Sequence, residues 1–315
     1  MHTAFRGFSE REKGMLIMSV KNETLKVLNN EDWRVRYAEA NSPNASVDAL
    51  VVLATDENEH IRRAVAQNKN TPPDTLAKLA INEDWRVRLE VAKNPNAPTK
   101  ALERLLSDED RDVRRTVAGN WSAPARLLNR LSMDEDWNVR YTVARNPSTP
   151  AGTLVVLATD KDLGVRYAVA CNPVTSGEVL NRLMTDKDLP VRCGVAGNPN
   201  TPCEILASLA MDEDPYVRKA VAGNASAPVD ALSRLTSDSD WRVRSNVAGN
   251  RNTTETILLR ASRDRSPMVR EAVARNPKIP PEAVKRLSLS KVSRIRKALS
   301  ENPAVPEHIR VGLSL

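Results

Sequence analysis

Arginine recurs at positions 36, 62, 88, 114, 140, 166, 192, 218, 244, 270 and 296, a constant step of 26 residues with no insertion. A fixed period of that length marks a chain assembled from stacked copies of one supersecondary unit. The surrounding columns keep the same register. Val or Ile always precedes the Arg, Ala stands four residues after it in ten of the eleven copies, and Asn stands six residues after it in ten, Ser42 being the exception. Within one copy the apolar residues Val165, Ala168 and Val169, then Val179, Leu180 and Leu183, are spaced i, i+3, i+4. That is the helical period, not the alternation of a strand.

Start and stop signals divide each unit into two short helices. Asp or Asn stands four residues before the Arg in nine units, from Asp32 to Asp240, where it can cap the first helix. Thr71-Pro72, Thr149-Pro150 and Thr201-Pro202 place a capping hydroxyl and a first-turn proline ahead of the second. Asn-Pro pairs such as Asn94-Pro95 and Asn146-Pro147 end the first helix, because the residue before proline is pushed out of the α region. The expected unit is two helices of roughly nine residues each, too short to be stable alone. Stacking must supply the stability, by burying the Val/Ala face and Leu pairs such as Leu76 with Leu79 or Leu206 with Leu209. At about 8 to 10 Å per helix layer the expected form is a curved rod on the order of 100 Å long. The expected divisions are an N-terminal extension or cap (1–24), one continuous repeat domain of eleven units (25–311) and a short tail (312–315).

Composition fits repetitive packing, with 41% hydrophobic residues but only 3% aromatic. Cys171, Cys193 and Cys203 form neither a CxxC pair nor an even framework, which indicates no disulfide scaffold and no metal module. The six-residue apolar run Met15 to Val20 is too short for a signal peptide, so the expected location is the reducing cytoplasm. His2, His60 and His308 are scattered, with no Ser/His/Asp grouping, glycine-rich phosphate loop or HExxH. The chain is read as non-enzymatic, without a cofactor, a small-molecule substrate or a membrane partner. The formal charge of +7 is local. Residues 261–315 hold 12 Lys and Arg against 5 Asp and Glu, and the first 260 residues carry 35 of each sign.

The motif D-x-D-x-x-V-R-x-x-V-A-x-N-P-x-T-P-x-x-x-L-x-x-L-A, nearly intact from Asp134 to Ala158, resembles the leucine-rich repeat variant family and, more distantly, HEAT repeats. The resemblance runs over roughly residues 25–311. It implies a right-handed superhelix of paired short α and 3₁₀-like helices with a binding or scaffolding role and no catalytic residues. The family prototype also carries an N-terminal cysteine-ligated iron–sulfur cluster, but residues 1–24 contain no Cys, so no cofactor is carried over. HEAT-like families join neighbouring units through an internal Asp–Arg ladder. The resemblance therefore implies such a ladder here for the eight arginines with Asp six residues upstream, Asp56 to Asp264, in place of a phosphate-binding row. The Asn column is expected to satisfy backbone groups freed at the helix end.

Variation between otherwise near-identical units picks out the columns three residues before the Arg and one and five after it. Spaced by four, they form one stripe on the first helix. The stripe holds Trp33, Tyr37, Arg63, Trp85, Lys93, Arg111, Arg115, Trp137, Tyr141, Arg145, Tyr167, Lys219, Trp241, Arg275 and Lys297. It includes four of the five Trp and three of the four Tyr, with eight basic residues against the acidic Glu59, Glu271 and Glu301. Trp, Tyr and Arg are the common anchors of interfaces, although each Trp can equally be read as packing over a neighbouring turn. The favoured role is a scaffold that binds a protein or peptide. The alternative is a nucleic-acid binder whose aromatics stack on bases, acting mainly through the basic end around Lys285, Arg286, Lys291, Arg294 and Lys297.

Overall fold

The computed structural model describes residues 26–314, and among these every regular element is a helix. The predicted N-terminal extension lies outside the described residues. The chain divides into two compact units, Met1–Thr153 and Leu154–Leu315. In the first, α1 (Trp33–Ala40), α3 (Glu59–Gln67), α5 (Trp85–Lys93), α7 (Arg111–Gly119) and α9 (Trp137–Arg145) are the first helices of successive repeats. They alternate with the second helices α2 (Val47–Leu53), α4 (Pro73–Leu79), α6 (Thr99–Leu105) and α8 (Ala125–Leu131), and the division falls inside α10 (Ala151–Leu157). The second unit continues the alternation with α11 (Leu163–Cys171), α12 (Gly177–Leu183), α13 (Leu189–Gly197), α14 (Cys203–Leu209), α15 (Pro215–Gly223) and α16 (Val229–Leu235). It ends with α17 (Trp241–Gly249), α18 (Glu255–Ala261), α19 (Pro267–Arg275), α20 (Pro281–Ser288), α21 (Ser293–Glu301) and α22 (Glu307–Ser314). The fold is an all-α solenoid of paired short helices. No helix among the described residues is long and apolar enough to cross a membrane.

The helix starts follow the capping columns. The Asp84 carboxylate accepts from the Arg86 N–H at 2.9 Å, and Asp32, Asp110, Asp136, Asp162, Asp214 and Asp240 accept in the same way. Asp188 makes no such bond, because the second residue of α13 is Pro190, which has no N–H to give. The carboxylate instead takes an Arg166 Nη2 donor at 2.5 Å.

The second helices correct two expectations. They are seven-residue α-helices in all but the last two repeats, not nine-residue or 3₁₀-like ones. The chain leaves each early because the last Leu carbonyl accepts from an amide three residues on, as Leu183 does from the Asp186 N–H at 3.1 Å. Nor do Thr71, Thr149 and Thr201 cap these helices. Each hydroxyl donates back to a carbonyl at the end of the first helix, on Val65, Val143 and Val195, at 2.6 Å. Thr71 and Thr201 stand one residue before the N-cap, which is Pro72 or Pro202. Each of these carbonyls also accepts from the Asn N–H three residues on, so the buried hydroxyl fills its second acceptor position and finds its own acceptor there. Where Ser46, Ser176 or Thr254 occupies the proline column, the side chain does cap the helix.

The Asn column stitches repeats together. Asn198 Nδ2 donates to the carbonyls of Ala170 and Asn172 in the preceding repeat at 2.7 and 3.0 Å, while its Oδ1 accepts from the Asn200 N–H at 2.9 Å. Asn68, Asn94, Asn224, Asn250, Asn276 and Asn302 repeat the pattern. Proline is not what fixes the conformation. Asn68 and Asn224 precede Lys69 and Ala225, yet they hold the same extended backbone, ψ 129 and 128°, as Asn94 before Pro95, ψ 125°.

The core consists of the Val and Ala columns of the first helices and the Leu pairs of the second, all essentially inaccessible to solvent. Neighbouring first helices touch along their length, whereas neighbouring second helices barely meet. The first-helix layer is close enough at Gly194 that a Cβ there would lie 3.0 Å from Ala170 Cβ and 3.2 Å from Cys171 Sγ. At the C-terminal end α22 runs into the predicted tail as far as Ser314 and lays Ile309 and Leu313 against the last core cluster.

The ladder is the other inter-repeat link. Arg88 directs Nε and Nη2 to the two oxygens of Asp108 in the next repeat, at 2.7 and 2.9 Å, and Nη1 to the Asn82 and Glu83 carbonyls of its own repeat. The same fork joins Arg36 to Asp56, Arg114 to Asp134, Arg166 to Asp186, Arg192 to Asp212, Arg218 to Asp238 and Arg244 to Asp264, with Nε–O distances of 2.6 to 2.8 Å. Each Asp thus pairs with the Arg 20 residues before it, while its own repeat's Arg takes its backbone carbonyl, as Arg114 takes that of Asp108.

Burial alone would raise the Asp238 carboxyl. Hydrogen bonds from Arg218 and from the Asp240 N–H, together with the Arg218 charge, outweigh it and hold the group below the usual carboxylate range. Asp186 and Asp264 are lowered in the same way. A carboxyl depressed in the folded state contributes stability that is fully present above its unfolded value of about 4. That contribution is lost as pH falls through the folded value. The melting temperature should therefore hold steady from neutral pH to about pH 5 and fall below it. Asp238→Asn, already less stable at neutral pH, should show a shallower acid limb. Parallel curves for the two proteins, in melts followed by circular dichroism, would show that this rung does not titrate with folding.

Candidate binding surface

The stripe columns sit at the first, fifth and ninth positions of the nine-residue first helices, so their side chains leave the layer on one side. In the first unit Trp33 is 37% exposed and meets Tyr37 edge-on at 6.2 Å. His60 of the next repeat lies 6.1 Å from the indole, and the Arg34 guanidinium sits 5.1 Å from its centroid. Trp137, 46% exposed, meets Tyr141 in the same T-shaped way at 6.3 Å, and Arg145 lies 5.8 Å over Tyr141. Trp85 is half-buried beneath Arg86 at 4.9 Å, and the equivalent of the tyrosines is Leu89, so this platform has one aromatic ring. In the second unit Tyr167 and Trp241 are exposed, at 39% and 43%.

The basic half of the stripe is largely neutralised by the protein itself. Arg63 and Lys93 both reach the buried Glu90 carboxylate, at 3.6 and 3.0 Å. Arg111 pairs with Asp136, Arg115 with Asp112, Arg275 with Glu271 and Glu301, and Lys297 with Glu301. Lys219 carries no ion pair among the described residues. At the basic end, Arg286 donates to the Ser262 hydroxyl and Arg294 lies 4.0 Å from Glu271.

Two exposed aromatics lie outside the predicted set. Trp121, at 79%, stands in the turn after α7 over a shallow 450 Å³ depression that also includes Lys93 and Pro95. Its column is otherwise mostly proline, and that departure was the available signal. Tyr216 lies under Arg242 at 5.3 Å, and the Asp240 carboxylate at 2.7 Å raises the Arg242 guanidinium pKa. Among the described residues no three His, Cys, Asp or Glu side chains converge as a metal site, and none of the three cysteines is in a disulfide. The burial of Cys193 pushes its thiol up.

The leucine-rich repeat variant model matches residues 85–110 and 137–162. A solved structure described as a leucine-rich repeat variant with a novel repetitive protein structural motif is similar at a TM-score of 0.53 and 30% identity, over 70% of this chain and 87% of that one. Lower similarities include an engineered protein, 18% identical with a TM-score of 0.34 over 92% of this chain and 98% of that one. Yeast importin-beta is 12% identical with a TM-score of 0.44 over 93% of this chain and 55% of that one. No curated protein sequence matches. With 30% identity across most of a solved member's length, and with its repeat motif and helical pairing, the chain belongs to the leucine-rich repeat variant family.

Proposed function

We propose that this chain is a non-enzymatic scaffold whose first-helix layer binds a protein partner, an extended segment lying across the aromatic platforms of the Met1–Thr153 unit. The observation that supports this most is the pairing of exposed indole and phenol surface with stripe cations already matched by Glu90, Asp112 and Asp136. A polyanion gains affinity by releasing counterions from unpaired Lys and Arg. A peptide gains it from aromatic anchors in a polar rim. Capture with the full chain as bait, after nuclease treatment and at low and raised salt, tests the reading. Protein retention should survive both treatments and be lost when Trp33, Trp85 and Trp137 are all replaced by Ala. Retention that nuclease abolishes would end the proposal in favour of nucleic acid.

A further inference from the structure

At its C-terminal end the ladder finishes in two open forks. In the last intact rung, Arg244 Nη1 donates to the Asp238 and Ser239 carbonyls of its own repeat at 2.7 and 3.0 Å, and Nε and Nη2 go to Asp264. Arg270 takes the same pose, its Nη1 donating to the Asp264 and Arg265 carbonyls at 2.5 and 3.2 Å, but the next repeat offers it Ser290 in place of Asp. Its Nε and Nη2 meet no acceptor among the described residues, and neither is buried, so both are open to solvent. Arg296, held through Nη1 by the Ser290 carbonyl at 2.8 Å, leaves Nε and Nη2 open likewise. The contrast is Arg62, which faces Asn82 but whose Nη2 reaches the Glu83 carboxylate at 3.3 Å.

Around these two forks the ladder edge has changed sign. Where the repeat after Arg88 brings up Asp108, Glu109 and Asp110, the repeat after Arg270 brings up Ser290, Lys291 and Val292. Arg265 and Lys291 are exposed on the same edge. Nearby carboxylates are already engaged, Asp264 by Arg244 and Glu271 and Glu301 by Arg275. Ser290 has two side-chain heavy atoms fewer than Asp, so the place of the carboxylate oxygens is not filled from within. Its Oγ accepts from the Val292 N–H at 3.2 Å, which leaves the hydroxyl proton to donate to an incoming oxygen.

We propose that this edge binds an acidic segment of a protein partner, with one carboxylate across Nε and Nη2 of Arg270, where the intact rungs carry Asp, and a second across those of Arg296. The surface is separate from the aromatic platforms and does not depend on the role proposed for them. The forks lie one repeat apart, about 8 to 10 Å by layer spacing. A polyproline II segment covers that distance in one turn of three residues, about 3.1 Å each, and returns its side chains to the same face. The segment therefore carries acidic residues at i and i+3. Arginine forks also take phosphate, but residues 261–315 contain no Phe, Tyr or Trp on which bases could stack.

The test is the fluorescence anisotropy of a fluorescein-labelled peptide with Asp at two positions three residues apart, titrated with the full-length protein. Its Asn counterpart should bind at least about tenfold more weakly, since hydrogen bonds between charged groups are worth a factor of that order or more. Ser290→Asp fills the Arg270 fork from within, so it should weaken binding of the Asp peptide by about tenfold while raising the melting temperature. Arg270→Gln should weaken binding as much. Lys278→Gln removes an equal charge in the turn after α19, away from the ladder, and should bind as the parent does. Undiminished binding by Ser290→Asp, an equal loss in Lys278→Gln and Arg270→Gln, or equal binding of the Asn peptide would overturn the proposal. Oligothymidylate or duplex DNA that binds more tightly than the Asp peptide would overturn it in favour of nucleic acid.

Discussion

Asp264→Ala is expected to destabilise the protein by about 3 to 5 kcal/mol, the cost of removing one partner from a buried pair. Arg244 and Asp264 are 7% and 10% exposed at the side chain, so the discount that makes surface bridges worth about 0 to 1 kcal/mol does not apply. The substitution strands Arg244 Nε and Nη2, bonded to Asp264 at 2.7 and 3.0 Å, and removes the acceptor of the Ser266 N–H. Replacing both partners, Arg244→Met with Asp264→Leu, removes the orphaned charge and should recover most of the loss. The Ser266 N–H still keeps the double variant below the parent. Arg275→Ala provides the contrast, since Arg275 is 54% exposed in its pairs with Glu271 and Glu301 and should cost less than about 1 kcal/mol. Urea unfolding midpoints order the four proteins. If Asp264→Ala and Arg275→Ala shift the midpoint equally, the ladder is decoration and stacking rests on the apolar columns alone.

That ladder was legible as a set of residue types but not as a set of bonds. The 26-residue register shows Arg in all eleven units and Asp six residues upstream in eight, yet which Asp meets which Arg depends on how repeats stack, and the partner lies 20 residues away in the next repeat. The neutralisation of the stripe was hidden for the same reason: Arg63 meets Glu90 and Arg111 meets Asp136 across repeats, so a count of basic residues overstates the free charge. The i, i+4 aromatic pairs Trp33–Tyr37 and Trp137–Tyr141, by contrast, follow from helix geometry alone, and both rings meet as that spacing requires. Local rules failed where burial redirected a polar group. Thr71 looked like a cap because it precedes proline, but its buried hydroxyl donates to the Val65 carbonyl at the end of the first helix instead. Asn68 needed no proline to leave the helix, because its amide is held by the carbonyls of Ala40 and Ser42.

Replacing Trp33, Trp85 and Trp137 together by Ala is expected to abolish partner binding while lowering stability less than one core substitution does. The three residues recur at every second repeat of the first unit, about 16 to 20 Å apart by layer spacing, which suits an extended chain better than a compact ligand. Interface anchors commonly contribute about 2 kcal/mol or more each, so the triple variant should lose several kcal/mol of affinity. Part of each ring is already occupied within the protein, Trp33 by Tyr37, His60 and Arg34 and Trp85 by Arg86, so some packing is lost as well. Cation–π contacts at exposed sites are worth about 0.5 to 1 kcal/mol, and aromatic pairs about 0.5 to 1.5 kcal/mol. Leu154 makes the comparison sharp, because it is fully buried and its replacement by Ala should cost about 2 to 5 kcal/mol with no effect on the stripe. Trp85, half-buried, should account for more of the stability loss than Trp137, and the single variants separate the two. The order of effects decides between a binding surface and a packed one. Should the triple variant melt as low as Leu154→Ala while a captured partner stays bound, the indoles serve packing and the partner engages another face.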